Sequence, residues 1–189
     1  STMKITSAMK MVAAAKLKKA QDAIIQLRPY ANKLTELLQN LSATLDSDDG
    51  GIYTEQREAN KVLLVAITSN RGLCGSFNSN VFKKAKYAIL NKQDIATHHV
   101  NSKKNIIPHN NDVSIDMVGI GKKSVLFAKR ESQNLIAVYD TISDRPRYEE
   151  ALPIAQFAMQ EFKKNTYQKV VVVYTDYVSS LVQEPKIRQ

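Results

Sequence analysis

The sequence is poor in the residues that mark several large protein classes. Its 189 residues include one cysteine, no tryptophan, six glycines and five prolines. Since a single cysteine, Cys74, cannot form a disulfide within the chain, a disulfide-stapled fold is excluded and a reducing, cytoplasm-facing compartment is favoured. Glycine and proline are too scarce for a collagen-like chain, and a hydrophobic share of 43% argues against intrinsic disorder.

Long apolar runs are also missing. No stretch approaches the roughly 20 apolar residues that a membrane-spanning helix needs. Residues 1–19 lack the apolar centre of a signal peptide, and they do not begin with methionine. With 189 residues the chain can bury one sizeable core and carry an appendage, but it is too short for two full-size domains.

The positive charge is concentrated near the start of the chain. The formal net charge is +9, and residues 1–33 contribute +6 of it, from seven basic side chains and one acid, Asp22. For any one lysine a solvated surface is the simpler interpretation, but residues 1–19 hold five lysines and no acid. Because arginines are few and interleaved aromatic residues are missing, an acidic protein partner is favoured over nucleic acid.

A single long helix is predicted for residues 1–45, which contain no glycine and many alanines, lysines, leucines and glutamines. Pro29 predicts a kink rather than an end, because the apolar pattern continues in phase on both sides. Apolar residues recur at alternating steps of three and four, the heptad pattern of a left-handed coiled coil. This apolar stripe consists of Leu17, Ala20, Ile24, Leu27, Ala31, Leu34, Leu38, Leu41 and Leu45.

A stripe of four heptads needs a covering partner, and the rest of the chain offers no second heptad helix. We therefore expect it to pack against another subunit or against a further part of the same polypeptide. The alternative is that the stripe packs on the remainder of this chain.

The remainder is predicted to be an α/β domain with a mostly parallel, Rossmann-like sheet and flanking helices, because strand and helix patterns alternate. The predicted boundaries are a coiled-coil helix at 1–46, a linker at 47–59 and the α/β domain at 60–189. Residues 93–113 are expected to form an extended excursion or hairpin without a helix, and residues 183–189 a polar end. The predicted strands are 62–67, 114–119, 135–139 and 169–174, and the predicted helices are 76–91, 122–131 and 148–164.

Residues 68–75, here called the glycine turn, join the first strand to the first helix of this domain. Such junctions often bind phosphate through free backbone N–H groups. However, neither the G-x-G-x-x-G pattern nor the P-loop pattern is present, so a structural turn that uses Gly72 and Gly75 is favoured. A nucleotide- or phosphate-binding α/β enzyme that uses this turn remains the alternative function. A second strand-to-helix turn, 119–122, is a weaker signal.

The sequence contains no clear pattern of catalytic or metal-binding residues. The three histidines, His98, His99 and His109, have no cysteine or carboxylate cluster beside them, and adjacent side chains of a strand point to opposite faces. Cys74 has no histidine in its motif to act as a base. We therefore predict no catalytic residue, no metal site and no cofactor.

Two segments, taken together, resemble the gamma subunit of bacterial rotary ATP synthases. The first is residues 5–17, Ile-Thr-Ser-Ala-Met-Lys-Met-Val-Ala-Ala-Ala-Lys-Leu, followed by Ala20 and Gln21. The second is the glycine turn. The proline inside the predicted helix, Pro29 between Arg28 and Tyr30, is a further feature that resembles bacterial members of the family.

The resemblance implies a non-catalytic rotor subunit in the central stalk of a proton-translocating ATP synthase. Its partners would be the alpha and beta subunits of the catalytic ring, the epsilon subunit, the c-subunit ring and the C-terminal helix of its own chain, with no nucleic acid. It would lie at the cytoplasmic face of the bacterial inner membrane as a peripheral part of the complex. The family's C-terminal helix and the first residues of its N-terminal helix are missing, so the sequence resembles a fragment.

The resemblance also implies site residues. Loops of the beta subunit would be faced by Lys4, Met9, Lys10, Lys16, Lys18, Lys19 and Arg71, and the turn itself would be shaped by Gly72, Cys74 and Gly75. Two departures from the family stand out. Asn70 occupies a position where the family usually has aspartate, and residues 93–113 are longer than in typical bacterial members and hold no cysteine.

Overall fold

A computed structural model describes residues 2–44, 51–53, 55, 57–96, 98–100, 103–105, 112–143 and 146–189. The chain divides into two compact units, Ser1–Thr54 and Glu55–Gln189. Among the described residues, none of the helices combines the length and the apolar character that crossing a membrane requires.

The described residues of the first unit contain one helix, α1 (Thr2–Thr44), of 43 residues. At about 1.5 Å per residue it is about 65 Å long. The helix continues through Pro29, so the prediction that this proline does not end it is confirmed. Leu45 and the side chain of Leu41, both assigned to the apolar stripe, lie outside the described residues.

The second unit alternates strands and helices, as predicted. In chain order it contains β1 (Lys61–Ile67), α2 (Phe77–Leu90), α3 (Lys92–Ala96), β2 (His98–Val100), β3 (Lys103–Asn105), β4 (Ser114–Ile120), α4 (Lys122–Arg130), β5 (Asn134–Tyr139), α5 (Tyr148–Lys163), β6 (Lys169–Tyr177) and β7 (Gln183–Arg188).

Five of the strands form one sheet in the order β5-β4-β1-β6-β7. The first four run parallel, and β7 pairs antiparallel with β6. β1 lies at the centre, where Leu64 stands opposite Met117 on one side and Val171 on the other. Residues 62–66 of β1 are buried and Ile67 is half-buried, as expected for a strand covered on both faces. The predicted mostly parallel α/β fold is confirmed.

Successive residues of β1 supply two separate cores, because neighbouring side chains of a strand point to opposite faces. On one face Leu64 belongs to a buried cluster with Val81 of α2 and Phe127 of α4. On the other face Leu63 belongs to a cluster with Ile154 of α5. Because β1, β4, β5 and β6 run parallel, their carboxyl ends share one edge of the sheet, where the turns after β1, β4 and β5 meet.

Two predictions about elements were wrong. The segment 93–113 does contain the expected hairpin, β2 with β3, but the short helix α3 precedes it. The polar end 183–189 is largely β7, an edge strand. Lys186 of β7 forms an ion pair with Asp176 of β6, and only Ile187 packs against the core. A strand held mainly by backbone pairing and by charged side chains carries little hydrophobic signal, so its sequence does not reveal it.

A buried polar cluster holds the amino-terminal half of the sheet. Asp116 of β4 is only 6% exposed. Its carboxylate accepts hydrogen bonds from Tyr167 Oη (2.7 Å) and Asn134 Nδ2 (2.9 Å), and Lys61 Nζ lies 2.8 Å away. Burial alone would raise the pKa of Asp116, but hydrogen bonds from Lys61, Asn134 and Tyr167 together hold it below its ordinary value. The cluster joins β1, β4 and β5 to the α5–β6 connection.

We expect Asp116→Asn to lower the free energy of unfolding by about 2 kcal/mol at neutral pH, because charge-assisted bonds from Lys61 and Tyr167 are lost. The pKa of Asp116 is lower in the folded protein than in the unfolded chain. Its contribution is therefore complete above the unfolded pKa of about 3.9 and is lost as the pH falls through the folded value.

Urea denaturation between pH 7 and pH 2.5 measures this contribution. The wild-type and variant proteins should converge at the acid end. Asp112→Asn is the control, since Asp112 is fully exposed and its only described ion pair, with Lys92, is 3.8 Å long. A wild-type advantage that stays constant at all pH values would contradict the assignment.

Candidate functional site

The predicted site residues of α1 are all exposed, but they do not converge on one face. Consecutive residues of a helix are turned by about 100° relative to one another, so these side chains are distributed around the axis. The five lysines among them distribute positive charge around α1. The residues are Lys4, Met9, Lys10, Lys16, Lys18 and Lys19.

The apolar stripe of α1 is exposed along most of its described length. Leu17, Leu34 and Leu38 are each about half exposed, at 45%, 45% and 57%. Ile24 is half-buried. A row of leucines in water at heptad spacing is unfavourable, so the stripe has the chemistry of a surface made to be covered.

The glycine turn is clamped to the next strand of the sheet at Thr68, the residue that follows β1. The N–H of Thr68 donates to Ile120 O at 2.7 Å, and its hydroxyl accepts a hydrogen bond from the N–H of Ser124 at 3.0 Å. The Ser143 hydroxyl donates to Thr68 O at 3.0 Å. Three connections at the carboxyl edge of the sheet therefore meet at one buried threonine.

Asn70 uses both ends of its side-chain amide. Its Oδ1 accepts the N–H of Lys122 at 2.9 Å, and its Nδ2 donates to Asp140 O at 2.6 Å. An aspartate at this position could accept the first hydrogen bond but could not donate the second. The asparagine thus joins the glycine turn to both α4 and the end of β5.

These contacts occupy the amino terminus of α4. The first three N–H groups of the helix, those of Lys122, Lys123 and Ser124, are taken by Asn70 Oδ1, by Ser69 O at 3.4 Å and by Thr68 Oγ1. Backbone donors that already have acceptors are not available to a phosphate. The geometry at the turn between β4 and α4 therefore favours a structural role for that turn over phosphate binding.

The interior of the glycine turn is filled by Asn78, a residue of α2 that the sequence analysis did not single out. Its Oδ1 accepts the N–H of Ser69 at 3.0 Å. Its Nδ2 lies 2.9 Å from Ser69 Oγ, 3.3 Å from Arg71 O and 3.1 Å from Cys74 Sγ. The only signal in the sequence is an asparagine in the first turn of a predicted helix, next to a loop rich in backbone donors and acceptors.

The tip of the turn points outward. Arg71, Gly72, Leu73, Cys74 and Gly75 are all exposed, and Leu73 and Gly75 both adopt positive φ, of 56° and 57°. The structure therefore brings together four of the predicted residues, Arg71 with the three turn residues. The remaining six belong to α1, in the other unit.

The glycines of the second strand-to-helix turn serve close packing. Gly121 has φ +90°, and a Cβ there would lie 2.2 Å from Thr68 O. A Cβ on Gly119 would lie 2.1 Å from Ser124 Oγ. Glycine is required at Gly121 because the Thr68 carbonyl approaches too closely for a side chain, and at Gly119 because the Ser124 side chain does.

Lys169 of β6 is a second residue that the sequence analysis missed. It is only 5% exposed, and burial lowers its pKa to about 8. Within the ranges that the structure describes, no three histidine, cysteine or acidic side chains are grouped as metal ligands. His98 and His99 lie on β2, and His109 is outside those ranges.

Comparison with known proteins gives consistent matches along the whole chain. A family model described as ATP synthase matches residues 1–189. An ATP synthase gamma chain of Flavobacterium psychrophilum is 47% identical over 186 residues, which cover 97% of this chain and 57% of that protein. The ATP synthase gamma chain of Chlorobaculum parvum is 38% identical over 188 residues, which cover 100% of this chain and 59% of that protein. The chain thus spans less than two thirds of the length of the curated relatives it matches.

Solved structures share the fold. The central stalk and c-ring structure of the Tetrahymena thermophila mitochondrial ATP synthase contains a chain that matches with a TM-score of 0.65 and 23% identity, over 97% of this chain and 70% of that one. A chain in the rotor of the Euglena gracilis mitochondrial ATP synthase matches with a TM-score of 0.58 and 18% identity, over 95% of this chain and 55% of that one.

We expect Gly121→Ala to lower the free energy of unfolding by about 3 kcal/mol or more, because the new methyl group meets the Thr68 carbonyl and the positive φ is strained as well. Gly75→Ala is the matched control: its φ is also positive, but nothing lies within 4 Å of the added Cβ. It should cost only about 1 kcal/mol. Equal losses in chemical denaturation would contradict the close approach of the two turns.

Proposed function

The chain belongs to the gamma-chain family of ATP synthases, and we propose that it acts as the non-catalytic central-stalk rotor of a proton-translocating enzyme. In this role it couples ion flow through the membrane sector to ATP synthesis in a ring of alpha and beta subunits. The observation that carries the proposal is the 47% identity to a gamma chain along 97% of these residues.

The rotor shaft is a pair of helices in this proposal. The exposed leucines of α1 pack against the C-terminal helix of the same polypeptide, which lies in the part of the relatives that this chain does not span. The heptad spacing of Leu17, Leu34 and Leu38 supports a left-handed coiled coil, because alternating steps of three and four keep one seam on the partner.

The lysines of α1 face acidic loops of the beta subunits. Their spread around the helix axis supports this role, because a shaft with lysines on several sides presents positive charge to each loop at every angle of rotation. Long-range attraction of this kind needs no deep interlocking surface that would resist rotation. Arg71, at the tip of the glycine turn, contacts lower loops of the ring.

The α/β unit forms the lower part of the stalk and meets the epsilon subunit and the c-subunit ring. The complex lies at the cytoplasmic face of the bacterial inner membrane, and nucleic acid is not a partner. Catalysis belongs to the ring in this proposal. The hydrogen bonds of Asn78 with the Ser69 N–H and the Arg71 carbonyl support a mechanical rather than a phosphate-binding role for the glycine turn.

Hydrogen exchange tests the proposed coiled coil. In this 189-residue chain at low concentration, the amides of residues 17–40 should exchange much faster than those of β1 and β4, since an isolated helix is only marginally stable. In the full-length subunit the same amides should become protected, while those of the sheet stay unchanged. Equal protection of α1 in a dilute monomer of the short chain would contradict the coiled-coil assignment.

Charge substitution tests the proposed partner. Changing Lys4, Lys10, Lys16, Lys18 and Lys19 to glutamine in the full-length subunit should weaken assembly with the alpha and beta subunits and reduce its dependence on salt. A matched control removes five exposed lysines of the α/β unit instead: Lys83, Lys84, Lys129, Lys163 and Lys164.

Co-purification at several salt concentrations measures the difference between these variants. If both sets weaken assembly equally, the basic helix is not the contact. Sub-millimolar binding of ATP, ADP or phosphate to the chain by itself, measured by calorimetric titration, would favour the alternative enzyme and contradict the rotor.

A further inference from the structure

The chain enters the α/β unit through residues 55–60, here called the entry segment, which lead directly into β1. Ala59 of this segment is 2% exposed and belongs to the same buried cluster as Val81 of α2. Directly after it, the N–H of Lys61 donates to Gln168 Oε1 at 2.8 Å, and the N–H of Gln168 donates to Lys61 O at 3.1 Å. The end of the entry segment is therefore held by the core and by the connection between α5 and β6.

Arg57 holds the start of the entry segment against the carboxyl end of α5. Its Nη1 donates to Phe162 O at 2.5 Å, and its guanidinium carbon lies 4.3 Å from the centre of the Phe162 ring. Its Nε and Nη2 both donate to Oε2 of Glu55, at 2.9 and 2.7 Å. The Arg57 side chain is only 12% exposed. One largely enclosed side chain thus joins Glu55, at the first position of the segment, to a packed helix.

The chemistry of this position requires arginine rather than positive charge alone. The last carbonyls of a helix lack partners within the helix and carry its negative partial charge, so a cation there is favourable. Lys163, in the last turn of α5, already supplies an exposed positive charge. Only a planar guanidinium can stack on the Phe162 ring while its N–H groups donate to two different acceptors. The contacts of Arg57 therefore exceed what the helix end by itself needs.

These contacts limit the length of free chain between α1 and the α/β unit. The boundary between the two compact units falls between Thr54 and Glu55, directly before the residues that Arg57 holds. Release of Arg57 would free the entry segment and add up to about 20 Å of reach, at about 3.4 Å per residue. A longer flexible connection transmits position less well, because its ends can move relative to one another before it becomes taut.

We propose that Arg57 is a positioning residue that fixes the entry segment to α5, so that rotation passes between the shaft helix and the α/β unit without slack in this connection. Glu55 and Phe162 orient its guanidinium. The inference rests on the proposed rotor function, since slack matters only where the connection carries force. The expected loss is partial, because the proposed shaft contains a second helix.

The first test measures the anchor itself, by hydrogen exchange in the full-length subunit. Arg57→Ala should make the amides of residues 57–61 and 163–165 exchange about tenfold faster, while those of β4 stay unchanged. Arg147→Ala is the matched control, because Arg147 is an exposed arginine at the opposite end of α5. It should leave all of these amides unchanged.

The second test measures coupling in the complete ATP synthase, reconstituted in lipid vesicles. Arg57→Ala should lower the ratio of ATP-driven proton pumping to ATP hydrolysis about threefold, with the rate of hydrolysis unchanged, because slack absorbs part of the rotation. Arg57→Lys keeps the charge without the planar fork and should give an intermediate ratio. Arg147→Ala should match the wild type. A role in folding alone would lower the thermal stability of the subunit and leave this ratio unchanged.

The outcomes separate this inference from the function on which it rests. If the wild-type subunit does not assemble with the alpha and beta subunits, both fail. If Arg57→Ala leaves the exchange rates unchanged, the anchor is overturned and the rotor function stands. If exchange becomes faster but the pumping ratio equals that of the wild type, Arg57 serves the fold only and its part in coupling is overturned.

Discussion

The contact on which the α/β unit depends is the close approach of β1 to the turn between β4 and α4. Thr68 O lies only 2.2 Å from the position that a Cβ on Gly121 would take, and the Thr68 hydroxyl accepts the N–H of Ser124. Backbones this close leave no room for solvent or ligand between them. The same contact fixes where the glycine turn begins, so the position of Arg71 follows from the packing of the sheet.

The two units place their polar and apolar groups in opposite ways. In the α/β unit the apolar side chains of β1 are buried on both faces, and even the charged Asp116 is enclosed by donors. In α1 the leucines of the stripe whose side chains the structure describes remain about half exposed, and the lysines are distributed around the axis. The first pattern is that of a self-sufficient core, whereas the second is that of a helix whose stabilising contacts lie on another surface.

Much of the fold could be predicted because it rests on periodicity. The heptad spacing predicted α1, and the buried runs of β1 and β6 predicted the centre of the sheet. β7 was missed, since an edge strand with alternating charges is held by backbone pairing that leaves no apolar pattern. For the site, the motif indicated the glycine turn, but Asn78 was invisible because its role depends on contacts across a folded loop.

By itself the sequence determined the family, the long basic helix, the heptad spacing of its apolar residues and the alternation of strands and helices. These are local or periodic properties, which adjacent residues encode. Only the tertiary structure decided that the glycine turn is filled by Asn78, that its tip directs Leu73 into solvent, and that Gly119 and Gly121 serve packing rather than phosphate binding. Each of those facts depends on distances between residues far apart in the chain, which spacing along the sequence does not specify.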